Sequence, residues 1–210
     1  MYPAPKPDSY KDFAYVANPH SWLLTADNLF GQASLIRRQS GNSIIQLKNA
    51  DGSILGMWDQ TTKSVFLLGG FAIENMLKGF LVFENPNWVS NGRLHKPLLS
   101  HDLLKLEKTS QSVPYKGRSN RILKTFGGGL ESWARYPCGT TLNGTRSEPG
   151  LSEELWQKYH KLMRSYARRL RYKLQQGWIG PHGVSAQFDF SPLFLAIEEA
   201  WQPQSHRRSS

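Results

Sequence analysis

The stretch "TTKSVFLLGGFAIENMLKGFLVFENP", residues 61–86, constrains this chain more than any other. From about Thr61 to Phe83 it is apolar almost all the way round, and a helix of that kind must be covered by other elements on every side. Pro86 predicts its end, because the residue before a proline resists the helical region. A wrapped central helix implies a bundle.

Glu74 and Lys78 stand one turn apart in the middle of this helix, bordered by Leu67, Gly70, Phe71, Leu77 and Leu81. On a wet surface such a pair adds only roughly 0.3 kcal/mol. Among apolar neighbours each charge needs partners. Two roles stay open: a structural clamp to a neighbouring helix, or the wall of a cleft.

The covering elements are legible as further amphipathic segments. Ser21 reads as the N-cap of a helix ending near "RRQSGN", with apolar residues from Trp22 to Ile36 at three- and four-residue steps. Residues 43–58 hold two short apolar runs around Asn49–Gly52, which predict a small hairpin or an irregular insertion. Ser100 reads as the N-cap of a helix in "SHDLLKLEKTSQ". The run Gly127, Gly128, Gly129 predicts a kink or break before Leu130. The longest amphipathic helix is "LSEELWQKYHKLMRSYARRLRYKLQ", with Ser152 at its start and Gly177 at its end. A final short helix is expected in "SPLFLAIEEAWQ". The fold class is all-α, a bundle of about five helices in one domain over 21–202, with a loose extension over 1–20 and a disordered basic tail over 203–210.

Formal net charge is +10, from 26 Lys and Arg against 16 Asp and Glu, which favours an anionic partner. Much of it gathers on the long helix. Trp156, Tyr159, Met163, Tyr166, Leu170 and Leu174 form a core stripe, while His160, Lys161, Arg164, Arg168 and Arg171 share another face, where arginine forks suit phosphate oxygens. The alternative is an ordinary solvated face.

For proton transfer the best segment is "RLHKPLLSHD": Arg93, His95, His101 and Asp102. Its alternative is a capping cluster. Arg135, four residues after Glu131 and followed by Tyr136 and Pro137, offers an anion contact or a favourable charge at a helix end. The glycine pairs follow no strand and lack the Lys and Ser/Thr of a phosphate loop, so no cofactor is expected. No metal is expected either, since the histidines lack zinc-site company. The single Cys138 excludes an internal disulfide, its turn points to packing, and with no signal peptide or bilayer-length apolar run the expected location is the cytoplasm, with no membrane partner.

"GGFAIENMLKGFLV", "LLSHDLLKL" and "WARYP", in that order over about residues 62–137, resemble the HEPN superfamily, in particular its small solitary bacterial members. The resemblance implies a helical bundle that dimerises, RNA binding, metal-independent RNA cleavage, and toxin–antitoxin or phage-defence systems. An antitoxin or nucleotidyltransferase-like protein would then be the partner. Glu74, Lys78, His101 and Asp102 match the shared pattern, and Arg135 and Tyr136 match the ending of the solitary subgroup. Active nucleases of that superfamily carry an Arg, four to six residues, then a His. Here seven residues separate Arg93 from His101, so the cleavage motif is missing. An endoribonuclease and a non-catalytic module binding nucleotide, RNA or protein both remain open.

Overall fold

In the computed structural model, which describes residues 10–136, 138–146, 149–185 and 187, the first element is a short helix, α1 (Tyr10–Val16). It lies inside the segment expected to be loose. Ala14 is fully buried, and the Tyr10 ring lies against His182, so residues far along the chain hold this turn in place. Helix α2 (Pro19–Arg38) begins earlier than the Ser21 cap implied. Asn18 is the N-cap: its Oδ1 accepts from the Ser21 N–H at 3.0 Å, and Pro19 occupies a first-turn position that needs no amide hydrogen.

The insertion is a hairpin. Strands β1 (Ile44–Lys48) and β2 (Ile54–Asp59) pair antiparallel across a turn in which Gly52 has φ +86°. It projects from the bundle with Ile44, Leu47, Ile54, Leu55, Met57 and Trp58 all exposed.

Helix α3 (Thr61–Glu84) spans the predicted segment and is the axis of the fold. Val65, Phe66, Ala72, Ile73, Met76, Leu77, Phe80, Leu81 and Val82 are completely buried. Contrary to the sequence expectation, α3 contains a window apolar enough to cross a membrane, with mean hydropathy 1.6. Its covering is protein: 78% of that window is buried inside the bundle. Helix α2 packs along it, and α4 (Leu103–Thr109), α5 (Asn120–Gly128) and α7 (Glu153–Gln175) cover the rest.

The three glycines at 127–129 do not break the chain's helical path. α5 passes into a single π-helical turn, Gly129–Trp133, in which the Ala134 N–H donates to the Gly129 carbonyl five residues back at 3.2 Å. Close approach explains the glycines facing it: a Cβ on Gly70 would stand 2.6 Å from Leu130 Cγ and 3.1 Å from the Phe126 carbonyl. Gly69 similarly admits Phe126, whose ring stacks on Tyr159 at 4.4 Å. A short helix α6 (Leu142–Arg146) interrupts the loop before α7. Ser152 Oγ caps α7 by accepting from the Leu155 N–H, and Gly177 (φ +92°) comes just after its end. The expected core stripe of α7 is buried throughout. Tyr166 in that stripe donates to the buried carboxylate of Glu107 at 3.1 Å, and burial together with that charge pushes its phenol pKa upward. The expected last helix and basic tail lie outside the described residues, as does Pro137.

A side chain at Gly70 has nowhere to go, so Gly70→Val should lower unfolding free energy by about 1–3 kcal/mol through overpacking. Gly31, mid-way along α2 with nothing within 4 Å of a built Cβ, is its control. Gly31→Ala should raise stability by up to about 1 kcal/mol. Urea denaturation followed by far-UV circular dichroism measures both.

Candidate functional site

Glu74 and Lys78 are 4% and 5% exposed, so their ion pair is a buried one. Lys78 Nζ lies 2.6 Å from Glu74 Oε1. The second oxygen, Oε2, lies 2.8 Å from Nδ1 of His101. An ionised carboxylate only accepts, so Nδ1 carries the hydrogen and Nε2 is the ring atom left for proton exchange. The His101 side chain is 50% exposed. The result is a graded triad: an ammonium inside, a carboxylate between, and an imidazole at the surface. Trp22 of α2 closes the inner end, its ring centroid 5.8 Å from Lys78 Nζ.

Asp102 takes no part in that triad. Its Oδ1 caps α4 by accepting from the Lys105 N–H at 3.0 Å. Ser100, the expected cap, instead accepts from the Asp102 N–H at 3.2 Å. Arg93 is exposed in the preceding loop with no hydrogen bond or ion pair to His101 or Asp102. His95 stacks on Trp88 at 5.2 Å. Arg135 and Tyr136 lie beyond the π turn, where the Tyr136 carbonyl accepts from Lys63 at 3.3 Å. Glu131 lies within that turn and Arg135 just beyond it, and the two form no ion pair with each other, the wide winding having shifted the four-residue register. Cys138, expected to pack, is exposed. Among the described residues no cluster of His, Cys, Asp or Glu could hold a metal ion.

The basic face of α7 is partly redrawn. His160 is buried, its ring 4.6 Å from Phe30 and 4.4 Å from Trp156, so it belongs to the core. Arg171 is half-buried and does not line the cleft formed by its neighbours. Lys161, Arg164 and Arg168 do line it, joined by Arg169, which is absent from the face expected from the sequence. The opposite wall is the loop Gln111–Tyr115. The space between is about 920 Å³, and among the described residues no acidic side chain lines it.

That loop is held by a second carboxylate of α3. Glu84 accepts from Ser110 Oγ at 2.7 Å, from the Gln111 N–H at 2.9 Å and from the Ser112 N–H at 2.6 Å. No motif announces this anchor, because it joins residues 26 to 28 positions apart. Tyr115, at the loop's end, has φ +58°, a conformation that non-glycine residues seldom adopt.

No family model, no curated protein and no solved structure matches the chain. What the site can do therefore rests on its own geometry: a carboxylate-oriented imidazole, and a cleft lined by four cations and, among the described residues, by no acid.

Removing one partner from the buried pair strands the other charge. Glu74→Gln should cost about 3–5 kcal/mol of stability, while the double variant Glu74→Gln, Lys78→Met should return most of it. Equal urea midpoints for wild type and Glu74→Gln would show that the pair contributes nothing.

Proposed function

We propose that this chain is a HEPN-like protein of a bacterial defence or stress system that binds RNA through the cleft between α7 and the Gln111–Tyr115 loop. The observation that carries this reading is the gathering of Lys161, Arg164, Arg168 and Arg169 on one cleft, with no acidic residue among the described residues that line it. Each guanidinium offers a planar fork to two phosphate oxygens, and the helix holds the four charges at fixed spacing. Lys161, Arg168 and Arg169 have no ion-pair partner among the described residues, so binding a polyanion costs them no internal salt bridge. A net charge of +10 adds long-range attraction.

Binding of this kind releases counterions, so affinity for RNA should fall steeply as salt rises. In fluorescence anisotropy, Arg164→Glu with Arg168→Glu should weaken binding at least tenfold and flatten the salt slope by about 2. Unchanged affinity would sink the assignment.

A catalytic reading rests on the His101–Glu74 contact. Metal-independent RNA cleavage needs a base for the 2′-hydroxyl, an acid for the leaving oxygen and a cation for the phosphorane. His101 Nε2, with the ring oriented by Glu74, has the chemistry of the base or the acid. Among the described residues Arg93 has no contact that aims it at His101, and Asp102 is spent on the helix cap. The missing partners of His101 would come from a second copy of the chain in a homodimer, as the HEPN resemblance implies. Purified protein in EDTA should then cut structured RNA, and His101→Ala should abolish the cutting. Intact RNA after incubation with wild type would leave the binding function alone.

A further inference from the structure

We infer that the cleft takes unpaired nucleic acid, with Tyr115 and Tyr172 stacking on its bases. This rests on the phosphate-binding role proposed for α7 and names the form of ligand that the cleft selects. The two tyrosines line the cleft together with Lys161, Arg164, Arg168 and Arg169. They are 61% and 56% exposed, although the chain buries Tyr159 and Tyr166, which share α7 with Tyr172, completely. Neither exposed ring serves the core.

Tyr115 is also held in place. Its φ of +58° is unfavourable for a residue with a Cβ, and it persists because the chain on both sides is tied down. On one side Glu84 grips Ser110, Gln111 and Ser112. On the other, the Arg118 N–H closes a turn onto the Tyr115 carbonyl at 3.1 Å. A loop fixed by three carboxylate hydrogen bonds on one flank and a closed turn on the other presents its aromatic ring at a set position. Tyr172, one turn beyond Arg168 on the rigid rod of α7, supplies the second ring.

Rigid exposed aromatics beside a row of cations are the chemistry of single-strand recognition: every base has a face to stack, while the phosphates follow the charges. In a duplex the bases are already stacked on each other and their faces are closed to such rings. From Lys161 to Tyr172 the helix rises about 16 Å, a span that covers several successive phosphates of a strand.

The test uses the full chain and three labelled probes in fluorescence anisotropy: a uridine strand of about 12 nucleotides, a strand of the same length with abasic sugars, and an RNA duplex of equal length. The wild type should bind the uridine strand at least tenfold more tightly than either other probe. Tyr115→Ala and Tyr172→Ala should each weaken that binding roughly tenfold with the salt slope unchanged, and Tyr172→Phe should match wild type. Thermal melts establish that the variants are folded, and Tyr172→Ala carries the test alone where Tyr115→Ala unfolds. Equal binding of abasic and uridine strands, or alanine variants indistinguishable from wild type, overturns the stacking inference. If Arg168→Glu still weakens binding in that case, the phosphate-binding role stands without it. If Arg168→Glu also binds as wild type does, or the wild type ignores all three probes and binds phosphatidylserine vesicles instead, both fall.

Discussion

A carboxylate drawn out of water must be satisfied by its surroundings, and α3 carries two, Glu74 buried and Glu84 half-buried, whose partners organise the bundle. Glu74 draws Lys78 from its own helix and His101 from the chain entering α4. Glu84 draws Ser110, Gln111 and Ser112 from the chain leaving it. The two acids are ten residues apart on a helix, about 15 Å. The segments they hold are nine to eleven residues apart and contain a short helix, which covers a matching length. α4 is thereby tied to α3 at both ends and runs alongside it in the same direction.

This arrangement links two features that look unrelated in the chain. The loop that Glu84 holds is one wall of the cationic cleft, and α7 is the other. The position of that wall depends on a carboxylate that does not itself line the cleft. The acidic side chains of α3 are thus used inward, for construction, while the cations of α7 that line the cleft are left outward.

Features set by local periodicity are legible from the residues. The span of α3, the hairpin alternative for residues 43–58, the core stripe of α7 and the enclosure of Glu74 and Lys78 all depend on spacing within one element. Helix starts are harder: Asn18 and Ser21, or Ser100 and Asp102, are chemically interchangeable caps, and the choice depends on which oxygen meets the third amide along. His160 departs from the expected basic face because only the arrival of Phe30 from α2 turns that side of α7 into core. Arg169, Tyr115, Tyr172 and Glu84 carry no signal in the sequence, since what gives them meaning is a wall contributed by a distant loop. The triad at Glu74 is half visible: the pair within α3 is local, but the 2.8 Å contact with His101 is tertiary.

The π turn at Gly129–Trp133 also sets the angular phase of the residues beyond it. A π turn holds one more residue than an α turn, so it acts as a one-residue insertion in the last winding before the helix ends at Ala134. Every position after it is rotated by about 100° relative to the phase that α5 would have imposed. Trp133, the last residue of the turn, lies against Phe66 at 4.7 Å, and Tyr136 beyond it emerges into solvent. In a chain related to this one by a single deletion among the three glycines, the helix would close to ordinary α winding, and the surface presented by Arg135 and Tyr136 would be a different one.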